Sequence, residues 1–142
     1  MSGSARVGEE LPPLRRVVTR EDLIAYAEAS GDRNPLHTDD AFARSVGFPS
    51  VIAHGMFTMG HMTTCVVGWA GDPASIASVS AAFRAPVYPG DEIVAGGRVR
   101  AVEGDEITLE LWVRLDRDGS TEWPIKRGEA VVRGPVPRPQ AD

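Results

Sequence analysis

The chain has 142 residues, 42% of them hydrophobic and 25% charged, the balance of an ordinary globular protein rather than a disordered, collagenous or disulfide-stapled one. Fifteen basic against twenty acidic residues leave a formal charge of −5; an acidic surface repels phosphate backbones, so nucleic acid is not the expected partner. One cysteine, Cys65, excludes an internal disulfide and fits a reducing compartment.

A single domain is expected, with a core over about residues 7–133 and loose or surface-tied tails, because the first thirteen residues are rich in Gly, Ser and Pro and Gly134 to Asp142 holds three prolines. The start of the chain lacks the apolar run of a signal peptide, which points to the cytoplasm. Leu14 to Val18 reads as a short strand. Thr19 with Asp22 three residues on opens a helix, since a threonine hydroxyl accepts from an orphan N–H and early acids suit the helix dipole. That helix is expected to stop at Ser30-Gly31, glycine being the usual exit residue. A second begins at Thr38-Asp39-Asp40 and runs to about Val46, with Gly47 ending it.

Ser45 to Gly71 carries no formal charge and has the length of a membrane span. It also holds Pro49, two histidines, three threonines and five glycines, so a buried helix from Gly55 to about Trp69 with a polar lead-in is the better reading. Met56, Phe57, Met59, Met62, Cys65, Val66, Val67 and Trp69 cover most of that helix's circumference, so it should be buried nearly all round. Strands follow: Ser75 to Arg84, Glu92 to Val102, an alternating run Ile107-Leu109-Leu111-Val113-Leu115, and Thr121 to Val132. Turns are expected at Tyr88 to Asp91, Glu103 to Asp105 and Asp116 to Ser120. Gly96-Gly97 is expected to mark a bend or bulge. Helices first and an antiparallel meander after them make an α+β layer fold.

The densest chemical cluster is Ser30-Gly31-Asp32-Arg33-Asn34-Pro35-Leu36-His37. An irregular loop can aim a carboxylate and an imidazole at one small volume, the usual equipment for activating water or moving a proton. The same residues also suit a helix C-cap, an Asx turn and a helix lead-in, and the chemistry of the loop alone leaves both readings open. Ile52-Ala53-His54-Gly55-Met56 opens the long helix, whose free N–H groups suit developing negative charge; Gly55 permits either close ligand approach or close packing. A metal is not expected: His54 and His61 stand two helical turns, ~10.5 Å, apart, whereas zinc ligands converge at ~2.0–2.1 Å. Cys65, mid-helix among apolar residues, is not expected to be a nucleophile.

Three strings together resemble the MaoC-like dehydratases, the family of the (R)-specific enoyl-CoA hydratases: Tyr26 with Glu28 through His37, then Ile52 to Met56, then Phe83-Arg84-Ala85-Pro86-Val87-Tyr88-Pro89-Gly90-Asp91. Among relatives the sequence is most similar to the B-type catalytic subunit of actinobacterial (3R)-hydroxyacyl-acyl-carrier-protein dehydratases. The resemblance implies a hot-dog fold, a long helix wrapped by an antiparallel sheet. It implies reversible syn addition of water to a trans-2-enoyl thioester, giving the (R)-3-hydroxyacyl thioester, without metal or cofactor. It assigns Asp32 and His37 to the water, Asn34 to positioning that pair, the Gly55 N–H to the thioester carbonyl, and Thr63 to a possible substrate contact. The implied partners are an acyl thioester of CoA or acyl-carrier protein and a second hot-dog chain, as homodimer or heterodimer. A hot-dog thioesterase and a non-catalytic acyl-binding subunit are the competing functions.

Overall fold

In the computed structural model, which describes residues 5–134, β1 (Leu14–Val17) precedes α1 (Arg20–Ser30), α2 (Asp40–Ser45) and α3 (Gly55–Ala70), and β2 (Ile76–Phe83), β3 (Glu92–Glu103), β4 (Glu106–Arg117) and β5 (Ser120–Arg133) follow. The strands form one antiparallel sheet in the order β1-β3-β4-β5-β2. β4 sits at its centre, and its alternation decides which face is covered. Ile107, Leu109, Leu111, Val113 and Leu115 are all buried, while Glu110 and Trp112 between them meet Arg98 and Gly96 across the ladder. The β4–β5 turn narrows to Asp118-Gly119, both with positive φ (51° and 78°), the conformation that matches strand twist in two-residue hairpins.

α1 begins as its sequence directs. The Thr19 hydroxyl accepts from the Asp22 N–H at 3.1 Å, and the Asp22 carboxylate accepts from the Thr19 N–H at 3.0 Å, a reciprocal capping box. It ends at Gly31, whose φ of 78° is left-handed. α3 lies against the covered face of the sheet and buries Thr58, His61, Met62, Cys65, Val66, Trp69 and Ala70. Met62 comes so close to β5 that a Cβ on Gly128 would stand 2.7 Å from its sulfur.

Two expectations need correction. α3 is not buried all round: Met56, Gly60, Thr64 and Gly68 form an exposed stripe, because a five-stranded sheet covers one side of a helix and these mostly small residues face away from it. Gly96-Gly97 is not a bulge. Its register is continuous, and the β3–β4 irregularity falls between Val99 and Ala101. The glycines are there for space, since a Cβ at Gly96 would lie 2.6 Å from the Trp112 indole nitrogen and one at Gly97 2.6 Å from Leu111. The N-terminal stretch is tied down from Gly8 onward, with Gly8 N–H on Val99 O, Leu11 N–H on Gly97 O, and Leu11 buried. Residues 1–4 and 135–142 of the two expected tails lie outside the described residues. No helix among the described residues is long and apolar enough to cross a membrane.

Candidate active site

Two stretches, residues 31–37 after α1 and residues 51–54 before α3, run side by side and tie to each other at three points. The Ile52 N–H donates to Leu36 O at 3.2 Å. The His37 Nδ1–H donates to Ile52 O at 2.7 Å, and the His54 Nε2–H to Asp32 O at 3.0 Å. The Val51 N–H donates to the Asp40 carboxylate at 3.0 Å, which with the Arg20 guanidinium holds that carboxyl below the usual carboxylate range. Capping chemistry shapes the first stretch: Ser30 Oγ accepts from the Asp32 N–H, Asp32 Oδ1 from the Asn34 N–H, and Asn34 Oδ1 from the Leu36 N–H. The turn and cap reading of this loop therefore holds, and those contacts set where Asp32 and His37 stand.

An amide carbonyl only accepts, so these contacts fix the neutral tautomers. His37 carries its proton on Nδ1, leaving the Nε2 lone pair free. His54 carries its proton on Nε2, leaving Nδ1 buried and without a partner. The two rings stack with centroids 3.7 Å apart and planes at 21°, and the Tyr26 ring packs tilted against His54 with centroids 4.8 Å apart. Donor atoms of Asp32, His37 and His54 all lie within 4.8 Å of one another. One water making two hydrogen bonds of ~2.8 Å spans such a gap.

A cavity of about 280 Å³ opens onto this group and is lined by Tyr26, Asp32, His37, His54, Gly55 and Phe83 among others. Gly55 starts α3. Its N–H and that of Met56 have no acceptor among the described residues, the first two bonds of the helix being Phe57 and Thr58 N–H to His54 O. Asp32, His37 and Gly55 thus come together, with Asn34 behind them as the loop's cap. Thr63 does not join them: its hydroxyl donates to Met59 O at 2.9 Å within α3. The threonine that reaches a cavity here is Thr58, buried one turn into α3, where it lines a second space of about 330 Å³ with Phe48, Ile52, Pro86, Val87 and Pro124.

The Phe83–Asp91 string has a structural task. Ala53 N–H donates to Val87 O at 2.8 Å, the Gly90 N–H to Val18 O at 2.7 Å and the Val18 N–H to Asp91 O at 2.9 Å. Arg117, unflagged in the sequence, pairs with the Asp91 carboxylate, donates to Pro86 O and lies 4.5 Å over the Tyr88 ring. This fixes the segment that forms a wall of the second cavity and holds residue 53 in place.

The sequence itself offers His54 as a metal ligand only together with His61, a pairing its spacing rules out. His61 lies elsewhere, its Nε2–H on Leu14 O, while His54 joins Asp32 and His37. As a metal set these three fit poorly. Near-parallel rings send their in-plane lone pairs side by side rather than to one point. Burial pushes the Cys65 thiol up to about 11, so it stays protonated at neutral pH. What signalled His54 was a polar side chain inside a charge-free stretch; its contacts with Asp32 and His37 cross a gap in sequence that no local pattern spans.

A long helix laid on a five-stranded antiparallel sheet, with an acid–imidazole loop over the helix start, defines a hot-dog protein. The chain belongs to the MaoC-like dehydratase family, whose MaoC-like domain matches residues 4–122. It is 33% identical to the (R)-specific enoyl-CoA hydratase of Aeromonas caviae, over 93% of this chain and 97% of that protein. The solved structure of an A. caviae (R)-hydratase superposes with a TM-score of 0.82 at 29% identity, covering 93% of this chain and 98% of that one. It is also 42% identical to the mitochondrial 3-hydroxyacyl-[acyl-carrier-protein] dehydratase of Arabidopsis thaliana, over 68% of this chain and 56% of that protein. The chain thus spans little more than half the length of that relative.

Proposed function

We propose that this chain catalyses the reversible addition of water to a trans-2-enoyl thioester, giving the (R)-3-hydroxyacyl thioester. The carrying observation is the placement of the Asp32 carboxylate and the His37 imidazole within 4.8 Å, on one cavity with the unpaired Gly55 N–H. A water held between Asp32 and His37 loses a proton to one of them as its oxygen bonds to C3. Electron density moves through C2 to the thioester oxygen, where the Gly55 N–H and the α3 dipole stabilise it. A proton returns at C2 from the same pair, so water is consumed and the two groups end as they began. One water serving both carbons from one side gives syn addition. The (R) hand is carried over from the A. caviae relative, and no metal or cofactor enters the step.

Asn34 acts in this reading through the turn that aims Asp32; Thr63 is left without a contact, and Thr58 takes its place as the helix hydroxyl facing substrate. The carrier is CoA or acyl-carrier protein. A second hot-dog chain, identical or related, is the proposed partner, supported by the unpaired outer edge of β2. The test is turnover of crotonyl-CoA by the full chain, followed as loss of the enoyl thioester, with chiral analysis of the product and a parallel assay for free thiol. Enoyl loss giving the (R) product without thiol release is expected. Thiol release makes the chain a thioesterase, and neither reaction makes it an acyl-binding subunit.

A further inference from the structure

We propose that Phe83 is the specificity-determining residue of this site, governing how much acyl chain passes from the catalytic cavity into the apolar one; the inference rests on the enoyl-thioester reading above. The two cavities share three lining residues, His37, Gly55 and Phe83. His37 is fixed by its bond to Ile52 O and its stack on His54, and Gly55 has no side chain. Phe83 alone is left to set the width of the junction. Its ring carbons stand 3.0–3.1 Å from the point a Cβ on Gly55 would occupy, over the helix start that the thioester carbonyl must approach.

The backbone there is held while the ring is not. Phe83 ends β2, its backbone paired with Ile125 at a register shift, and the next N–H, of Arg84, donates to Pro124 O at 2.9 Å. The residue is half exposed, with its ring carbons against the Gly55 position. Beyond it lies the apolar space of about 330 Å³, roughly eleven water volumes at ~30 Å³ each. A chain with its thioester carbonyl at Gly55 and C3 near His37 enters that space only by displacing or passing the ring.

The experiment is kinetics of the full chain on trans-2-enoyl-CoA substrates of four, six and eight carbons for wild type, Phe83→Leu and Phe83→Trp. Binding of saturated butyryl- and octanoyl-CoA, which cannot react, is measured beside it. Phe83→Leu is expected to raise the eight-to-four-carbon ratio of kcat/KM about tenfold or more, the scale of small changes in an apolar pocket, and Phe83→Trp to lower it. The binding ratios should move the same way. Ratios unchanged in both variants, with wild type still hydrating crotonyl-CoA, overturn the inference and leave the hydratase reading standing. No hydration by wild type, with binding ratios that still shift, overturns the hydratase reading and keeps Phe83 as the guard of an acyl site. Misfolding of one variant leaves the other to decide.

Discussion

The His37 and His54 imidazoles stack 3.7 Å apart at 21°, and each also holds a carbonyl from the other's stretch of chain. In the proposed mechanism His54 works through Asp32 and His37: its N–H anchors the Asp32 backbone and its ring backs the imidazole that would move the proton. Replacing His54 with Ala is expected to lower kcat by roughly 10–10², the cost of small misplacement at a reacting centre, with little change in KM. His54→Gln keeps a donor and His54→Phe keeps a ring, so their separate kcat values apportion the two contacts. Wild-type kcat in His54→Ala would reduce the residue to packing.

Asp32→Asn and His37→Ala are each expected to lower crotonyl-CoA turnover by about 10²–10⁴, the range for losing a positioned general acid or base, with far-UV circular dichroism unchanged. The fold should survive because Asp32 is exposed and its amide replacement still accepts from the Asn34 N–H. Near-normal turnover in either folded variant would remove the acid–imidazole pair from the mechanism.

Most of the fold was legible in the sequence because its signals are local. The Thr19–Asp22 cap, the left-handed Gly31 and the period-two run of β4 each depend on residues a few positions apart. The acid–imidazole loop was legible for the same reason, its two groups lying within six residues. What was not legible crosses the chain. Gly96 reads as a bend or bulge until Trp112 is seen lying over it. Arg117 looks like a turn charge until it meets Asp91. The exposed stripe of α3 was hidden because hydrophobicity reports what a helix can bury, not which side the sheet reaches.

Gly55 offers a second handle on the helix start. A Cβ there would meet the Phe83 ring at 3.0 Å, tighter than ordinary contact, and would crowd the approach to its own N–H. Gly55→Ala is expected to lower kcat/KM on crotonyl-CoA by on the order of tenfold, and Gly55→Val by more, toward the 10²–10³ typical of a lost oxyanion donor. If crowding by the ring is the cause, adding Phe83→Leu to Gly55→Ala should recover part of the loss. A double variant no better than the single one would put the defect in the backbone instead.

His61 links the core to pH. It is 8% exposed, and its value is lowered from the ordinary 6.5, first by burial and further by the Arg16 charge, against the opposing bond to Leu14 O. Between that lowered folded-state value and about 6.5, the unfolded chain binds a proton at this residue that the folded chain does not. By linkage, stability then rises with pH through the window and is lost as pH falls below about 6.5. The thermal midpoint of wild type should therefore drop between pH 7.5 and pH 5.5. His61→Asn, which cannot take the proton but can still donate to Leu14 O, should start from a lower midpoint at pH 7.5 through lost packing and show a smaller drop. Equal drops in the two proteins would assign the acid sensitivity to carboxylates elsewhere.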